Sequence, residues 1–222
     1  AERGGGRAQL LLAPDDLAAF HKTFVEEHGV GIVGGCCGTT PAHLKRVVEV
    51  IGRRPPRPRA PEHVPAAASL YVSAPFRQDQ SFLIVGERTN ANGSKRFREL
   101  LLAGDYDGMV TMARDQGREG AHVLDVCVDY VGRDGVADIT EVIRRFVTQC
   151  TLPLVIDSTE APVIEAALKR IGGRAVINSV NLEDGEQGRP AKIFPMARRY
   201  GAAVVCLLLD EEGQGRTVQG KM

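Results

Sequence analysis

Residues 154–179 read LVIDSTEAPVIEAALKRIGGRAVINS, and this stretch decides the fold. Two short apolar runs, Leu154–Ile156 and Ala175–Ile177, flank one helical stretch, Ala161–Ile171, and a polar residue follows each run. The runs are continuously apolar and do not alternate with polar residues, which is typical of parallel strands covered by helices. The pattern therefore predicts a β-α-β unit with polar side chains at the ends of its strands.

The same alternation of strands and helices extends over the chain from Phe82 onward. It predicts an α/β fold of about five β/α units, either a doubly wound sheet or part of a TIM barrel. The predicted strands are Phe82–Val85, His122–Val128, Leu154–Ile156, Ala175–Ile177 and Ala202–Leu209. The predicted helices are Lys95–Leu102, Tyr106–Arg118, Ile139–Gln149, Ala161–Ile171 and Ala191–Arg199.

A segment rich in proline and arginine precedes this region. Five of the twelve prolines lie in Gly52–Pro65, which predicts an extended, semi-rigid linker that is either simply solvated or a basic docking patch. Before it, the helix Asp15–His28 and a second helix beginning at Thr39-Thr40-Pro41 flank a short predicted strand, Val30–Val33. About 50 residues with one strand are too few for a core. We therefore expect them to complete a structure whose larger part lies elsewhere, and the chain to be an excerpt.

The composition disfavours several classes of partner. The 28 basic and 28 acidic residues cancel, which gives no reason to expect nucleic acid or an anionic membrane surface as a partner. The apolar runs are far shorter than the ~20 residues that span a bilayer, and no segment resembles a signal peptide. The five cysteines, two of them adjacent, favour a reducing, cytoplasmic location. The absence of a GxGxxG or Walker sequence disfavours a dinucleotide site.

Polar residues follow the predicted strands at one end. They are Glu87, Asn90, Asp125, Asp157, Asn178 and Asp210. Because a (β/α)₈ barrel assembles its active site at the carboxyl ends of its strands, the series indicates a site for a small, hydrogen-bond-rich ligand. Taken singly, Asp157 is equally a candidate helix cap, Asn178 a turn residue, and Asp210 part of a surface turn.

Several motifs resemble the cobalamin-dependent methionine synthase family. The stretch 82–94, FLIVGERTNANGS, is similar to the opening strand of that family's pterin-binding barrel. Three later stretches, 156–159, 176–179 and 199–205, resemble its later strands in the same order. The stretch 31–41, GIVGGCCGTTP, is similar to the end of its homocysteine barrel, and the family joins the two barrels by such a linker. The resemblance therefore covers essentially the whole chain.

The resemblance implies three parts. Residues 1–51 would be the C-terminal part of the homocysteine-binding barrel, 52–76 the Pro/Arg-rich linker, and 77–222 the N-terminal part of the pterin-binding TIM barrel. The implied reaction transfers a methyl group from 5-methyltetrahydrofolate, by way of cobalamin, to homocysteine. Cobalamin would be bound by a domain of the same parent protein that lies outside this chain.

The resemblance also implies roles for individual residues. Cys36 and Cys37 would be two of three thiolate ligands of Zn²⁺, which leaves the fourth tetrahedral position to the substrate sulfur. The third cysteine ligand is expected outside the chain. Without the resemblance, the adjacent pair is better explained as small buried hydrophobes.

The strand-end residues would bind methyltetrahydrofolate. The residues implied are Glu87, Asn90, Asp125, Asp157, Asn178 and Asp210. Asp157 and Asn178 match the family's pterin-recognising pair, and no residue is assigned as a catalytic acid or base. The other three cysteines, Cys127, Cys150 and Cys206, are expected in the core.

Two alternatives remain open at this point. One is a pterin barrel with other chemistry, such as dihydropteroate synthase or a corrinoid-protein methyltransferase, although these lack an attached GGCC segment. The other is an inactive, truncated module that only binds folate, which the sequence does not exclude.

Overall fold

The computed structural model of the chain describes residues 12–60 and 62–221. These residues form two compact units that divide between His63 and Val64. No helix in the described ranges is long and apolar enough to cross a membrane. The predicted boundaries of the three parts, 1–51, 52–76 and 77–222, remain a prediction.

The N-terminal unit is a pair of helices, α1 (Pro14–Glu26) and α2 (Pro41–Ile51). A proline begins each helix, where its missing N–H leaves no hydrogen bond unmade. The start of α2 is therefore as predicted. The predicted strand Val30–Val33 is wrong, since these residues form no regular structure. A strand needs a neighbour for its backbone hydrogen bonds, and the described part of this unit contains none.

The C-terminal unit is built on five parallel strands. They are β3 (Val85–Gly86), β4 (Val123–Val126), β5 (Leu154–Asp157), β6 (Val176–Val180) and β7 (Ala203–Cys206). Each strand pairs with the next one along the chain, so the order is β3-β4-β5-β6-β7. A doubly wound sheet would reverse its strand order at a switch point. The sequential order therefore confirms part of a β/α barrel.

Five helices connect these strands. They are α3 (Lys95–Ala103), α4 (Tyr106–Arg118), α5 (Gly135–Gln149), α6 (Ala161–Leu168) and α7 (Arg189–Tyr200). The side chains of Ser94, Asp105 and Asp134 accept backbone N–H groups at the starts of α3, α4 and α5. Such caps satisfy donors that a helix leaves unpaired at its N-terminus, which is why these helices begin where they do. All five predicted helices are confirmed.

Alternate residues of the sheet face two different cores. Val123, Val155 and Val176 pack on one side with the alanines of a short hairpin. The residue after each of these valines packs on the other side, in the core beneath the helices. Because side chains alternate along a strand, the residue two positions after each valine returns to the first side. In all three strands that residue is polar.

The hairpin consists of β1 (Ala66–Ala68) and β2 (Ser73–Pro75) and lies within the predicted linker 52–76. Its Ala68 exchanges backbone hydrogen bonds with Arg174, just before β6. The irregular part of the linker region thus precedes the hairpin.

The two outermost parallel strands are shorter than predicted. Phe82 is 90% exposed, and the first strand is limited to β3. The predicted strand Ala202–Leu209 ends at Cys206, and the chain continues as a second hairpin of β8 (Leu209–Asp210) and β9 (Gly213–Gln214). Both β3 and β7 have a single neighbour in the sheet, so fewer backbone hydrogen bonds extend them.

Candidate ligand-binding site

Asn90 organises a cluster of carboxylates at the ends of the strands. Its Nδ2 donates to Asp125 Oδ2 at 2.8 Å and to Asp157 Oδ2 at 2.7 Å. Its Oδ1 accepts the backbone N–H groups of Asn92 at 2.9 Å and Gly93 at 3.1 Å. An amide has two donor hydrogens and one acceptor oxygen, and all of them are engaged here. The orientation of Asn90 is therefore fixed from both ends.

Asp125 is the most buried carboxylate of the cluster, with 6% of its surface exposed. Burial raises the pKa of Asp125 to about 6, against the opposing hydrogen bond from Asn90. The charges of Asp157 and Glu87 raise this pKa further, whereas the Asn178 amide favours the ionised form. In the described part of the chain Asp125 Oδ1 is buried and makes no hydrogen bond. One oxygen of this carboxylate is therefore unsatisfied.

Asp157 and Asn178 stand side by side on β5 and β6. They are directly opposite each other in the register of the two strands, and both line an open cavity of about 500 Å³. Burial raises the pKa of Asp157, and the hydrogen bond from Asn90 opposes this effect. The charge of Asp129 raises the same pKa and that of Arg189 lowers it. The predicted pair therefore shares one cavity.

Asp157 does not cap the helix that follows it. The N-cap position of α6 is Glu160, and its side chain makes no capping hydrogen bond. The carboxylate of Asp157 instead accepts from Asn90. The helix-cap explanation of Asp157 is therefore wrong.

Two of the predicted strand-end residues lie apart from this cluster. Glu87 is exposed at the end of β3, close enough for its charge to raise the pKa of Asp125. Asp210 Oδ1 accepts the backbone N–H of Glu212 at 2.9 Å within the second hairpin. The carboxylate of Asp210 thus supports its own turn.

Charged residues that the sequence analysis did not single out hold the loop after β5. Asp129 accepts the Ser158 hydroxyl at 2.8 Å and the Thr159 backbone N–H at 2.9 Å. The Arg189 guanidinium donates to the carbonyl oxygens of Ser158 at 2.6 Å, Thr159 at 2.8 Å and Ser179 at 2.6 Å. The contacts to Ser158 and Thr159 lie one or two residues beyond Asp157, and the contact to Ser179 lies one residue beyond Asn178.

A second candidate site is the turn that carries Cys36 and Cys37. Their sulfur atoms are 3.9 Å apart, and both residues are exposed. The Cys36 N–H donates to Thr39 Oγ1 at 3.0 Å, and a Cβ on Gly35 would lie within 2.6 Å of the Thr39 side chain. Gly38 has a φ of 87°, which favours glycine. The exposure of both thiols contradicts the alternative that they are small buried hydrophobes.

The two thiols fit part of a zinc site. Thiolates bound to one tetrahedral zinc at about 2.3 Å lie about 3.8 Å apart, which is close to the observed separation of 3.9 Å. The described residues contain no cluster of three or more His, Cys, Asp or Glu side chains suited to a metal. The described chain thus offers two ligands of a possible set and not a complete set.

The other cysteines differ in their surroundings. Cys127 and Cys150 are buried, and burial raises the pKa of their thiols to about 12 and about 11. Their predicted core positions are confirmed. Cys206 is exposed at the end of β7, so its predicted core position is wrong. The physical reason is that β7 has one neighbour, β6, among the described strands of the sheet.

The fold and the cluster together define a partial β/α barrel with a polar ligand site at its strand ends. Residues 86–222, more than half of the chain, match the family model described as pterin binding enzyme. The chain belongs to the pterin-binding enzyme family. Residues 2–51 match a second family model, described as homocysteine S-methyltransferase.

Two curated relatives carry the name methionine synthase. The protein from Mycobacterium tuberculosis is 50% identical over 221 residues, which are 99% of this chain and 18% of the relative. The protein from Mycobacterium leprae is 50% identical over 226 residues, with 99% of this chain and 19% of the relative covered. The chain therefore spans less than a fifth of the length of these relatives. The resemblance to the methionine synthase family is confirmed.

Proposed function

We propose that the chain is the part of a methionine synthase in which the homocysteine site is followed by the folate site. The observation that carries the folate assignment is the pair Asp157 and Asn178, which lie opposite each other at the mouth of one cavity. The two family matches, in the order homocysteine methyltransferase and then pterin-binding enzyme, support the same assignment. The substrates are 5-methyltetrahydrofolate and homocysteine.

Asp157 and Asn178 recognise the edge of the pterin ring. This edge presents a ring N–H and an exocyclic amine side by side, and a carboxylate accepts both of them. An amide beside the carboxylate supplies one donor and one acceptor for the remaining polar atoms. Asn90 donates a hydrogen bond to Oδ2 of Asp157, so the carboxylate is already ordered before the ligand binds.

Asp125 and Glu87 extend the folate site beyond this pair. Asp125 shares the Asn90 donor with Asp157, and the charge of Glu87 is close enough to raise the pKa of Asp125. A partly protonated Asp125 reduces the repulsion between two carboxylates that share one amide donor. Methyl loss from N5 also requires a proton, and we assign no residue of this chain as its donor. Cobalamin, carried by another domain of the same protein, supplies the metal nucleophile when it is bound.

Cys36 and Cys37 would hold zinc together with a third ligand from elsewhere in the protein. Zinc, when bound, lowers the pKa of a coordinated thiol, and homocysteine then reacts as its thiolate. The turn through Gly35 and Thr39 keeps both sulfurs close together before any metal arrives. This cysteine turn favours a methionine synthase over a pterin barrel that lacks a homocysteine site. The free thiols also favour a cytoplasmic location.

The test is Asp157→Asn in the full-length enzyme, because this change keeps the size of the side chain and removes its charge. The matched control is Asp107→Asn, an exposed aspartate in the first turn of α4. We expect Asp157→Asn to weaken methyltetrahydrofolate binding by about 1.5–3 kcal/mol, the scale of a hydrogen bond to a charged group. This is roughly a 10- to 100-fold increase in Kd, measured by titration.

Methylation of homocysteine from supplied methylcobalamin should change little in both variants, because this half-reaction does not use the folate site. An unchanged folate affinity in a folded Asp157→Asn enzyme would remove Asp157 from the site. Loss of homocysteine methylation in Asp157→Asn alone would show that the two sites are not separate.

A further inference from the structure

The backbone pairing between β5 and β6 ends where the folate site begins. Asp157 and Asn178 are the last directly paired residues of the two strands. Beyond them β6 has an irregular register against β7, between Asn178 and Val180. Ladder hydrogen bonds therefore set the separation of the two strands up to the pair and not past it. A different contact must therefore hold the backbone that follows Asp157 and Asn178.

The guanidinium of Arg189 makes that contact. It lies in the first turn of α7 and donates through Nε to Ser179 O at 2.6 Å. Its other two nitrogens donate to Ser158 O at 2.6 Å and to Thr159 O at 2.8 Å. Ser158 directly follows Asp157, and Ser179 directly follows Asn178. One rigid, planar group therefore spans the residues that come after both members of the pair.

Asp129 holds the same loop by accepting hydrogen bonds from the loop's own donors. It accepts the hydroxyl groups of Ser158 and Thr159 and the backbone N–H of Thr159. Arg189 occupies the carbonyl groups of these two residues, and Asp129 accepts from both of their hydroxyl groups and from the N–H of Thr159. Two side chains of opposite charge therefore hold the loop after β5. Asp129 lies on the loop after β4, and Arg189 lies on α7.

We propose that Arg189 is a positioning residue for folate binding, which holds Asp157 and Asn178 at the separation that the pterin edge requires. Asp129 acts with it on the same loop. This inference rests on the proposed function, because it assigns the cavity between the two residues to the pterin. Lysine cannot replace Arg189, since a single ammonium group lacks the planar fork that reaches three carbonyl groups on two loops.

The experiment compares Arg189→Lys with Arg170→Lys in the full-length enzyme. Arg170 is a matched control because its guanidinium also donates to a backbone carbonyl, Ala166 O at 2.8 Å, but this carbonyl belongs to the helix that directly precedes it. We expect Arg189→Lys to raise the Kd for methyltetrahydrofolate by roughly 10- to 100-fold, because a misplacement of about 1 Å has effects of this order. Arg170→Lys should stay within about two-fold of the unmodified enzyme.

Two further readouts separate positioning from general stabilisation. The thermal midpoint of Arg189→Lys should lie close to that of Arg170→Lys, and methylation of homocysteine from supplied methylcobalamin should be retained. Asp129→Asn should weaken folate binding in the same direction. The double variant should lose less than the sum of the two single losses, because both residues act on one loop.

Folate affinity in Arg189→Lys within two-fold of the Arg170→Lys control would overturn the proposal. So would equal loss of both half-reactions together with a lowered thermal midpoint. If Arg189→Lys does not fold, the Asp129→Asn variant decides, and unchanged folate affinity there overturns the proposal. Failure of the unmodified enzyme to bind the folate would instead overturn the proposed function, and the role of Arg189 with it.

Discussion

The cysteine turn and the carboxylate cluster reach their geometry in different ways. Cys36 and Cys37 are exposed on a turn of the N-terminal unit, and the hydrogen bonds that Cys36 makes to other described residues stay within three residues along the chain. Asp125 and Asp157 stand on neighbouring strands and share one donor, Asn90, which lies 67 residues before Asp157. The parallel sheet thus brings the polar cluster together before any ligand binds. A tight turn directs two sulfurs together but leaves the rest of a metal shell to other parts of the protein.

The helices of the two units also differ, in how far their apolar side chains are buried. In the N-terminal unit Phe20 is 55% exposed and Val48 is 68% exposed, although the helical period places them on apolar stripes. In the C-terminal unit Phe146 on α5 and Ile164 on α6 are fully buried. An apolar stripe is buried only where a sheet or another helix covers it. Among the described residues, the N-terminal unit has two helices and no sheet to do so.

The largest effect should come from the cysteine turn. In the full-length enzyme, Cys36→Ala or Cys37→Ala should remove a zinc ligand and abolish homocysteine methylation. The loss should exceed the roughly 10- to 100-fold that follows from changing a ligand's supporting hydrogen bonds. Methyl transfer from folate to cobalamin should remain nearly intact. Assays of the two half-reactions, with zinc content measured in parallel, check this.

Cys206→Ala is the control, because Cys206 is exposed but lies in the C-terminal unit. Equal loss of both half-reactions in a folded Cys36→Ala enzyme would contradict the separation of the two sites. So would full zinc content with normal homocysteine turnover.

The next effect concerns Asn90, which bridges the two carboxylates. Asn90→Ala removes both donations and leaves two acidic groups without their shared partner. We expect folate affinity to fall and the free energy of unfolding to decrease by about 1–3 kcal/mol, the usual penalty for unsatisfied buried polar groups. Asn92→Ala is the control, since among the described residues the Asn92 side-chain amide has only a long contact of 3.5 Å to Cys127 Sγ. Equal effects of the two variants on folate titration and chemical denaturation would show that Asn90 does not organise the cluster.

A moderate effect should appear in the pH dependence of stability. Burial raises the pKa of Asp125 from 3.8 to about 6, so the folded state holds this proton more tightly than the unfolded state. The stabilising contribution is complete below about pH 4 and is lost as the pH rises through about 6. Asp125→Asn should therefore gain stability relative to the unmodified enzyme between pH 4 and 7. Thermal midpoints that run parallel over this range would contradict the raised pKa.

The smallest effect is expected for Asp210. The resemblance implies a place for Asp210 in the folate site, but its carboxylate accepts the Glu212 N–H within a hairpin. Asp210→Asn keeps an acceptor oxygen at this position, so folate affinity should stay within about two-fold of the unmodified enzyme. A titration that shows a loss as large as that of Asp157→Asn would return Asp210 to the folate site.

The positions of polar residues relative to the apolar runs made much of the carboxylate cluster predictable. Asp157 and Asn178 each directly follow an apolar run, and Asp125 lies within one, so parallel pairing brings them to one edge of the sheet. Asp129 directly follows the predicted strand His122–Val128, so the same signal could also have indicated it. Nothing in the local sequence pointed to Arg189, because its partners Ser158 and Thr159 are about 30 residues earlier in the chain.

The sequence by itself determined the order of the parallel strands and helices of the C-terminal unit, the β/α class, and which polar residues lie near the strand ends. These features depend on local propensity and on apolar periodicity, which are written in neighbouring residues. Only the tertiary structure decided that the strands pair in sequence as part of a barrel, and that Asn90 serves two carboxylates. It also decided that Val30–Val33 forms no strand and that burial raises the pKa of Asp125 to about 6. Pairing, burial and pKa depend on groups brought together from distant parts of the chain, and no local pattern specifies which groups these are.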